Sequence, residues 1–374
     1  MAVLLALLFL GQCPPECKDA CGPPACGESC CRYWAKAPRW AELHGLRPKR
    51  EHYLDLNAVN ITAETVQVLG HAKVNRGLWQ EDGWTPAQPP FPSTHFSAKC
   101  VRGKMDQMRL PGLAPQPMCL PPSDWISDYV RRTGRWEDCS LLVDLWLQSE
   151  TLQQDTRGEH GNPGLFVDLG ANIGCCTLEL LLRTTAYVLA FEPNPLALFY
   201  LTRTLKLAAQ SIPQVAKRVA VFPFAAGCCT PYRAEMYFDS ANLGNAVLHR
   251  KIHGRGGPRN YSGNVHGVPV WPLDAVVDKS TVIRLMKLDV QGTECQVLRG
   301  AAKLLAHSVQ TITAESSPQF LLAQRGCHHK QLHALMRRAG FRVRRTRSFT
   351  EAVLVGTRTP PESKPKHAST KQKI

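Results

Sequence analysis

Apolar residues along the chain fall into short unbroken runs that alternate with longer segments of helical period. The runs are Phe166 to Leu169, Tyr187 to Phe191, Arg218 to Phe224, Val282 to Leu288 and Val309 to Ala314, each short enough for a buried strand. Between and after them, Cys175 to Leu182, Leu196 to Ala209, Thr293 to Ala306 and Lys330 to Arg338 repeat apolar positions at helical spacing. This alternation specifies an α/β, Rossmann-like architecture, a mostly parallel sheet with helices on both faces. Right-handed crossovers then put the ligand crevice at the carboxyl ends of the strands. Two more helices are predicted ahead of the first strand. One is capped at Ser123 and Asp124 and carries Trp125, Ile126, Tyr129 and Val130 on one face, and the other covers Trp136 to Leu147.

The first run ends in FVDLGANIG, Phe166 to Gly174, where strand, glycine turn and helix succeed one another. Backbone N–H groups and a helix N-terminus face a ligand in this arrangement, so a nucleotide-like cofactor is expected. The dinucleotide fingerprint G-x-G-x-x-G is not met, because Asn172 and Cys175 stand where its later glycines belong. The second run ends on Glu192, whose two carboxylate oxygens match the vicinal diol of a ribose. Ala225, Ala226 and Gly227 follow the third run, where an adenine ring would lie. The fourth run delivers Lys287 and Asp289, and the fifth ends at Glu315. An isolated acid at a strand end more often caps a helix or sits in a turn; here Asp168, Glu192 and Asp289 converge on one crevice.

Several stretches carry a resemblance beyond this pattern: VDLGANIG (Val167 to Gly174), FEPNP (Phe191 to Pro195), PLDAVV (Pro272 to Val277), KLDVQGTE (Lys287 to Glu294) with VLRGA (Val297 to Ala301), and ITAES (Ile312 to Ser316). In order and spacing, Ser123 to Thr357 resembles the FkbM family of S-adenosylmethionine-dependent methyltransferases. The resemblance implies a seven-stranded sheet with a reversed final hairpin, here Phe341 to Phe349 and Ala352 to Thr357. It also implies S-adenosyl-L-methionine as cofactor and methyl transfer to a hydroxyl oxygen, the acceptor being a glycan, a lipid or a small metabolite. On this reading the cofactor-binding residues are Asp168, Gly170, Asn172, Gly174, Glu192, Asn194 and Asp289, with Gly170, Asn172 and Gly174 at the methionine end and Glu192 on the ribose. Asp289 and Glu294 are the catalytic candidates, and no metal is expected. Glu294 also suits the first turn of a helix, where the dipole favours an acid, and Lys287 reads as a strand-end lysine reaching for solvent. One departure stands out: the family usually reads Asp-x-Glu-Gly-x-Glu, and this chain has Gln291, which cannot take a proton, at the middle acid. The alternatives are a catalytically inactive methyltransferase-like binding protein and, opposed by the glycine mismatch, an NAD-dependent oxidoreductase.

The segment Cys228 to Val270, with His249, His253 and His266, is too long for an ordinary connection and reads as a loop acting as lid or substrate-binding element. Its histidines read as solvated. Cys175-Cys176 and Cys228-Cys229 read as packed thiols, while Cys100, Cys119 and Cys139 are either bridged or buried.

Residues 1–31 open on the apolar run Ala2 to Gly11, which suits a signal-peptide core and is too short for a membrane span. Cys13, Cys17, Cys21, Cys26, Cys30 and Cys31 follow, a density that suggests a disulfide-stapled module. The expected destination is the secretory pathway, with the cytoplasm as alternative. Residues 32–122 form an irregular, Pro-broken lead-in that Trp34, Trp40, Trp79 and Trp84 would anchor; residues 123–358 form the methyltransferase domain, and 359–374 a basic disordered tail. The sequons at Asn60 and Asn260 decide nothing. A net charge of +15 implies attraction to acidic partners, so an acidic substrate or an anionic membrane surface is a candidate partner; no specific nucleic acid is expected. Arg342 and Arg344 should share one strand face, and Arg345 and Arg347 the other.

Overall fold

Leu165–Leu169 (β1) is buried along its whole length, as a central strand covered on both faces must be. The computed structural model describes residues 100, 106–154, 164–228, 232–248, 253–254, 257–258, 261, 263–277, 279–316, 327–347 and 352–358. The apolar N-terminal run, the six-cysteine cluster, Trp34, Trp40, Trp79 and Trp84, His249, the asparagines of both sequons and the basic tail lie outside the described residues.

In chain order the main elements are helices Trp125–Thr133 (α1) and Asp138–Gln154 (α2), then β1, Cys175–Arg183 (α3), Tyr187–Phe191 (β2), Pro195–Ser211 (α4), Val219–Phe222 (β3) and Ala225–Ala226 (β4). Strands Tyr232–Asp239 (β5), Asn242–Leu248 (β6) and Gly263–Trp271 (β7) follow, with helix Leu273–Val276 (α5). The chain continues through Ile283–Leu288 (β8), Glu294–Gly300 (α6), Ala302–His307 (α7), Val309–Glu315 (β9), His329–Arg338 (α8), Arg342–Arg347 (β10) and Ala352–Thr357 (β11).

Seven strands form the main sheet in the order β10-β11-β9-β8-β1-β2-β3. The pairs from β9 to β3 are all parallel, and β11 runs antiparallel between β9 and β10, so the reversed final hairpin is present. Because side chains alternate along a strand, Leu165, Val167 and Leu169 join one core with Leu273, Leu298, Leu304 and Met336, whereas Phe166 joins a second with Trp146, Leu178 and Leu201. Helices α1 to α4 thus cover one face and α5 to α8 the other. Residues 106–122 add Met108, Leu110, Met118 and Leu120 to the second core.

Three expectations need correction. The predicted strand Arg218 to Phe224 stops at Phe222, because Pro223 has no N–H for the ladder, and β4 pairs instead with β7. The predicted helix Thr293 to Ala306 is two helices. Gly300 ends the first with its Cα so near the Gly227 carbonyl that a Cβ would lie 1.8 Å from the oxygen. The segment read as a long loop is largely a second sheet, of order β4-β7-β5-β6. Ala234, Met236 and Phe238 are buried at every second position of β5, the period of a half-buried strand, and that signal was present in the sequence. His253 and His266 fall in strands of this segment.

Three disulfides join Cys100 to Cys119, Cys139 to Cys176, and Cys295 to Cys327. Cys176 is therefore not the packed thiol expected; it ties α3 to α2, while the adjoining Cys175 stays a buried thiol. Three bridges within the described residues fit an oxidising environment. Among the described residues no helix is long and apolar enough to cross a membrane. Among the described residues strand β10 pairs only with β11, and it exposes Arg342, Arg344, Arg345 and Arg347, a charged edge of the kind that resists pairing with other strands.

Replacing Cys139 and Cys176 together by serine should cost about 2 to 4 kcal/mol of stability, since their bridge closes a loop in the unfolded chain. Denaturant midpoints under non-reducing conditions measure this; a midpoint equal to that of the parent protein would deny the bridge a part in the fold.

Candidate functional site

The site begins where β1 runs out. Gly170 has φ 80° and Asn172 φ 50°, and the N–H groups of Gly170 and Ala171 both donate to the Phe191 carbonyl at 3.0 Å. A Cβ at position 170 would stand 1.9 Å from the Asp289 carbonyl oxygen, so this turn requires glycine for space as well as for conformation. Asparagine is among the few side chains that adopt a positive φ readily, which suits position 172. Gly174 caps α3 with φ 89°, and a Cβ there would meet Leu201 of α4 at 2.5 Å.

Glu192, at the end of β2, turns its carboxylate back onto this loop. Oε2 accepts from the Asn172 N–H and Oε1 from the Asn194 N–H, both at 2.7 Å. Burial pushes its pKa up to about 7, against the pull of the two N–H groups and of Lys287. Each oxygen retains a lone pair for a ligand donor. Asn194 itself is fully buried; its Oδ1 accepts from the Leu196 N–H and caps α4.

Lys287 lies opposite Asp168 in the register of β8 and β1, so their side chains share a face. Its ammonium donates to Asp168 Oδ1 at 3.2 Å and to the Gly170 carbonyl at 2.8 Å, and it lies 3.3 Å from Asp289 Oδ2. Thr177 donates to the other Asp168 oxygen at 2.7 Å. Burial disfavours the charge on Lys287, but Asp168 and Asp289 outweigh it and hold the pKa above its ordinary value. Burial likewise works to raise Asp289, yet Lys287, then hydrogen bonds from Glu315 and Gln291, bring it below the ordinary carboxylate value.

The turn after Asp289 is staked by Glu294, whose Oε1 accepts from the N–H groups of Val290 at 3.2 Å and Gly292 at 3.1 Å. Burial, above all, pushes Glu294 up to about 7. Gln291, at φ 56°, folds its amide over the strand ends and donates from Nε2 to Asp289 Oδ1 at 2.8 Å and Glu315 Oε2 at 2.7 Å.

These strand ends form the floor of a cavity of about 730 Å³, within the range usual for cofactor and substrate sites. Its walls are apolar: Trp125 and Ile126 of α1, Trp136 just before α2, and Met236 and Leu243 of the second sheet. Asp124 joins α1 to that sheet. One oxygen caps the helix through Ser127 and the other accepts from the Leu243 N–H at 2.9 Å.

Of the residues predicted from sequence, Gly170, Asn172, Glu192 and Asp289 line the cavity. Asp168, Gly174, Asn194 and Glu294 do not. Asp168 is sealed beneath Lys287, Gly174 packs against α4, Asn194 Oδ1 caps α4 and Glu294 Oε1 holds its own turn. Lys287 does not reach for solvent as expected; its side chain is 13% exposed because two carboxylates and a carbonyl draw it inward. Glu315 and Gln291 also line the cavity, although sequence reasoning gave Glu315 no role and treated Gln291 only as a lost acid. Their shared position at the ends of β8 and β9 was the available signal.

Residues 168–343 match the family model of the methyltransferase FkbM domain. Among solved structures it is similar to the FkbM methyltransferase of Methylobacillus flagellatus KT, with 16% identity and a TM-score of 0.36 over 62% of this chain and 60% of that one. It is also similar to magnesium protoporphyrin IX methyltransferase of Synechocystis PCC 6803, solved with bound SAM, with 11% identity and a TM-score of 0.35 over 63% of this chain and 84% of that one. No curated protein matches the chain.

Replacing Lys287 by methionine should destabilise the protein by about 3 to 5 kcal/mol, because it strands the buried Asp168 carboxylate. Adding Asp168→Asn should restore most of that loss. Chemical denaturation of both variants tests the pairing, and equal losses in the single and the double variant would show that the charge on Asp168 is not what Lys287 holds.

Proposed function

We propose that this chain is an S-adenosylmethionine-dependent O-methyltransferase whose cofactor lies along the floor of the cavity. The observation that carries the reading is Glu192, a buried carboxylate at the end of the second strand, held by two loop N–H groups and open to the same cavity as Asp289. The fit is chemical: Glu192 keeps acceptor capacity for a ribose diol, and the Gly170 turn lets a ligand approach the backbone closely. The Oδ1 of Asn172, in the cavity lining, has no hydrogen-bond partner among the described residues. Bound there, S-adenosylmethionine would supply a methyl group already activated by its sulfonium.

The chain's own residues would do the rest. Glu192 binds the ribose, and the turn from Gly170 to Asn172 lies along the methionine end. Asp289, kept ionised by Lys287, takes the proton of an acceptor hydroxyl. Trp125, Ile126, Trp136, Met236 and Leu243 exclude water and give the acceptor an apolar wall. A hydroxyl on a glycan, a lipid or a small metabolite suits this wall. The arginine edge of β10 would serve an acidic substrate or anionic surface, and the three disulfides support a place in the secretory pathway.

Calorimetry with S-adenosylhomocysteine tests the cofactor assignment. Glu192→Ala should weaken binding by about 1.5 to 3 kcal/mol, the worth of hydrogen bonds to a charged group. The pH dependence follows from the raised pKa of Glu192. In the folded protein it holds its proton where the unfolded chain has lost it. Stability from this group is therefore present below the unfolded value of about 4.3 and lost as pH climbs through the folded value of about 7. A ribose diol donates to the ionised form, so affinity should fall below pH 7, by at most about tenfold per unit, and Glu192→Gln should flatten the curve. Undiminished affinity in Glu192→Ala, with the fold intact, would remove the assignment.

A further inference from the structure

Asp289 and Glu315 end neighbouring parallel strands, and both line the cavity. Two acids held to one amide nitrogen disfavour each other's ionisation, because a like charge nearby raises the cost of the second. The amide of Gln291 closes the arrangement, with Nε2 bridging to one oxygen of each acid. Gln291 is only 9% exposed, lines the cavity, and its Oε1 has no hydrogen-bond partner among the described residues. A buried acceptor left open beside a cavity calls for a donor from a ligand. The charged and titratable groups around the pair are Lys287 on β8, Asp168 behind it on β1, Glu294 beneath the turn and Glu192 at the end of β2.

We propose that Asp289 and Glu315 work as one acid–base unit sharing a proton, and that Gln291 is the residue that positions it. The proposal rests on the reading of the cavity as a methyltransferase site. In the proton step the acceptor's O–H bond breaks and a new O–H bond forms on Asp289. The electron pair stays on the acceptor oxygen, and the unit passes from one proton to two before returning one to water. An acid at position 291 would crowd a third carboxyl onto the same point, whereas the amide supplies hydrogens to both acids. The glutamine thus stands in for the family's acid without disarming the site.

The test is carboxyl ¹³C NMR of the full chain through a pH titration, beside calorimetry with S-adenosylhomocysteine on the same proteins. The parent protein should show two separated steps for the unit, one below and one above the ordinary carboxylate range. Gln291→Met removes the N–H donors that favour the charged form and should raise the upper step by about one pH unit. Glu315→Gln should abolish the upper step and leave Asp289 titrating alone. Carboxyls that titrate together in the ordinary range, or a Gln291→Met curve that overlays the parent's, would overturn the inference and leave the cofactor reading intact. Failure of the parent protein to bind S-adenosylhomocysteine would overturn the cofactor reading and the catalytic role with it, whatever the titration shows.

Discussion

The ammonium of Lys287 brings three parts of the chain to one point: the end of β1 through Asp168, the glycine turn through the Gly170 carbonyl, and the end of β8 through Asp289. In a buried setting such a charge is tolerable only when its partners are fixed around it, and the partners are tolerable only when it is there. The mutual dependence orders the crevice from below. Asp168, inaccessible to any ligand, fixes the lysine; the lysine then sets the ionisation of Asp289 at the cavity surface.

Above this floor the structure is built from separate pieces. Helix α1 and the β5–β6 hairpin meet at Asp124, and the Trp125 N–H donates to the Ala241 carbonyl at 3.0 Å beside it. The apolar wall of the cavity thus depends on one buried carboxylate that accepts from both elements. Floor and wall have different chemistry because they have different origins: strand ends bring acids and amides, whereas the flanking helices and second sheet bring aromatic and aliphatic side chains.

Much of this was legible in the sequence, because alternating strand and helix periods are local signals. The five parallel strands, the glycine turn and the convergence of Glu192 and Asp289 follow from residue order alone. The second sheet was hidden by the glycines and histidines of its segment, which spoke for loop louder than Ala234, Met236 and Phe238 spoke for strand. A lysine at a strand end has solvent within reach in most folds, so its motif alone points outward; the register that sets Lys287 against Asp168 turns it inward. Asn194 and Gly174 have local duties, a cap and a helix contact, that a motif match alone does not reveal. The role of Gln291 depends on a positive φ and on Glu315 arriving from another strand, and no reading of one motif contains both.

Cys176 lies in the cavity wall, one turn of chain away from Asn172, and its bridge to Cys139 anchors the start of α2. The shape of this pocket is therefore completed by the oxidation of two thiols that α2 and α3 bring together. A chain kept in a reducing environment would retain every side chain of the floor yet leave the wall of the cavity unfastened. The redox history of a preparation is thus part of what defines its binding site.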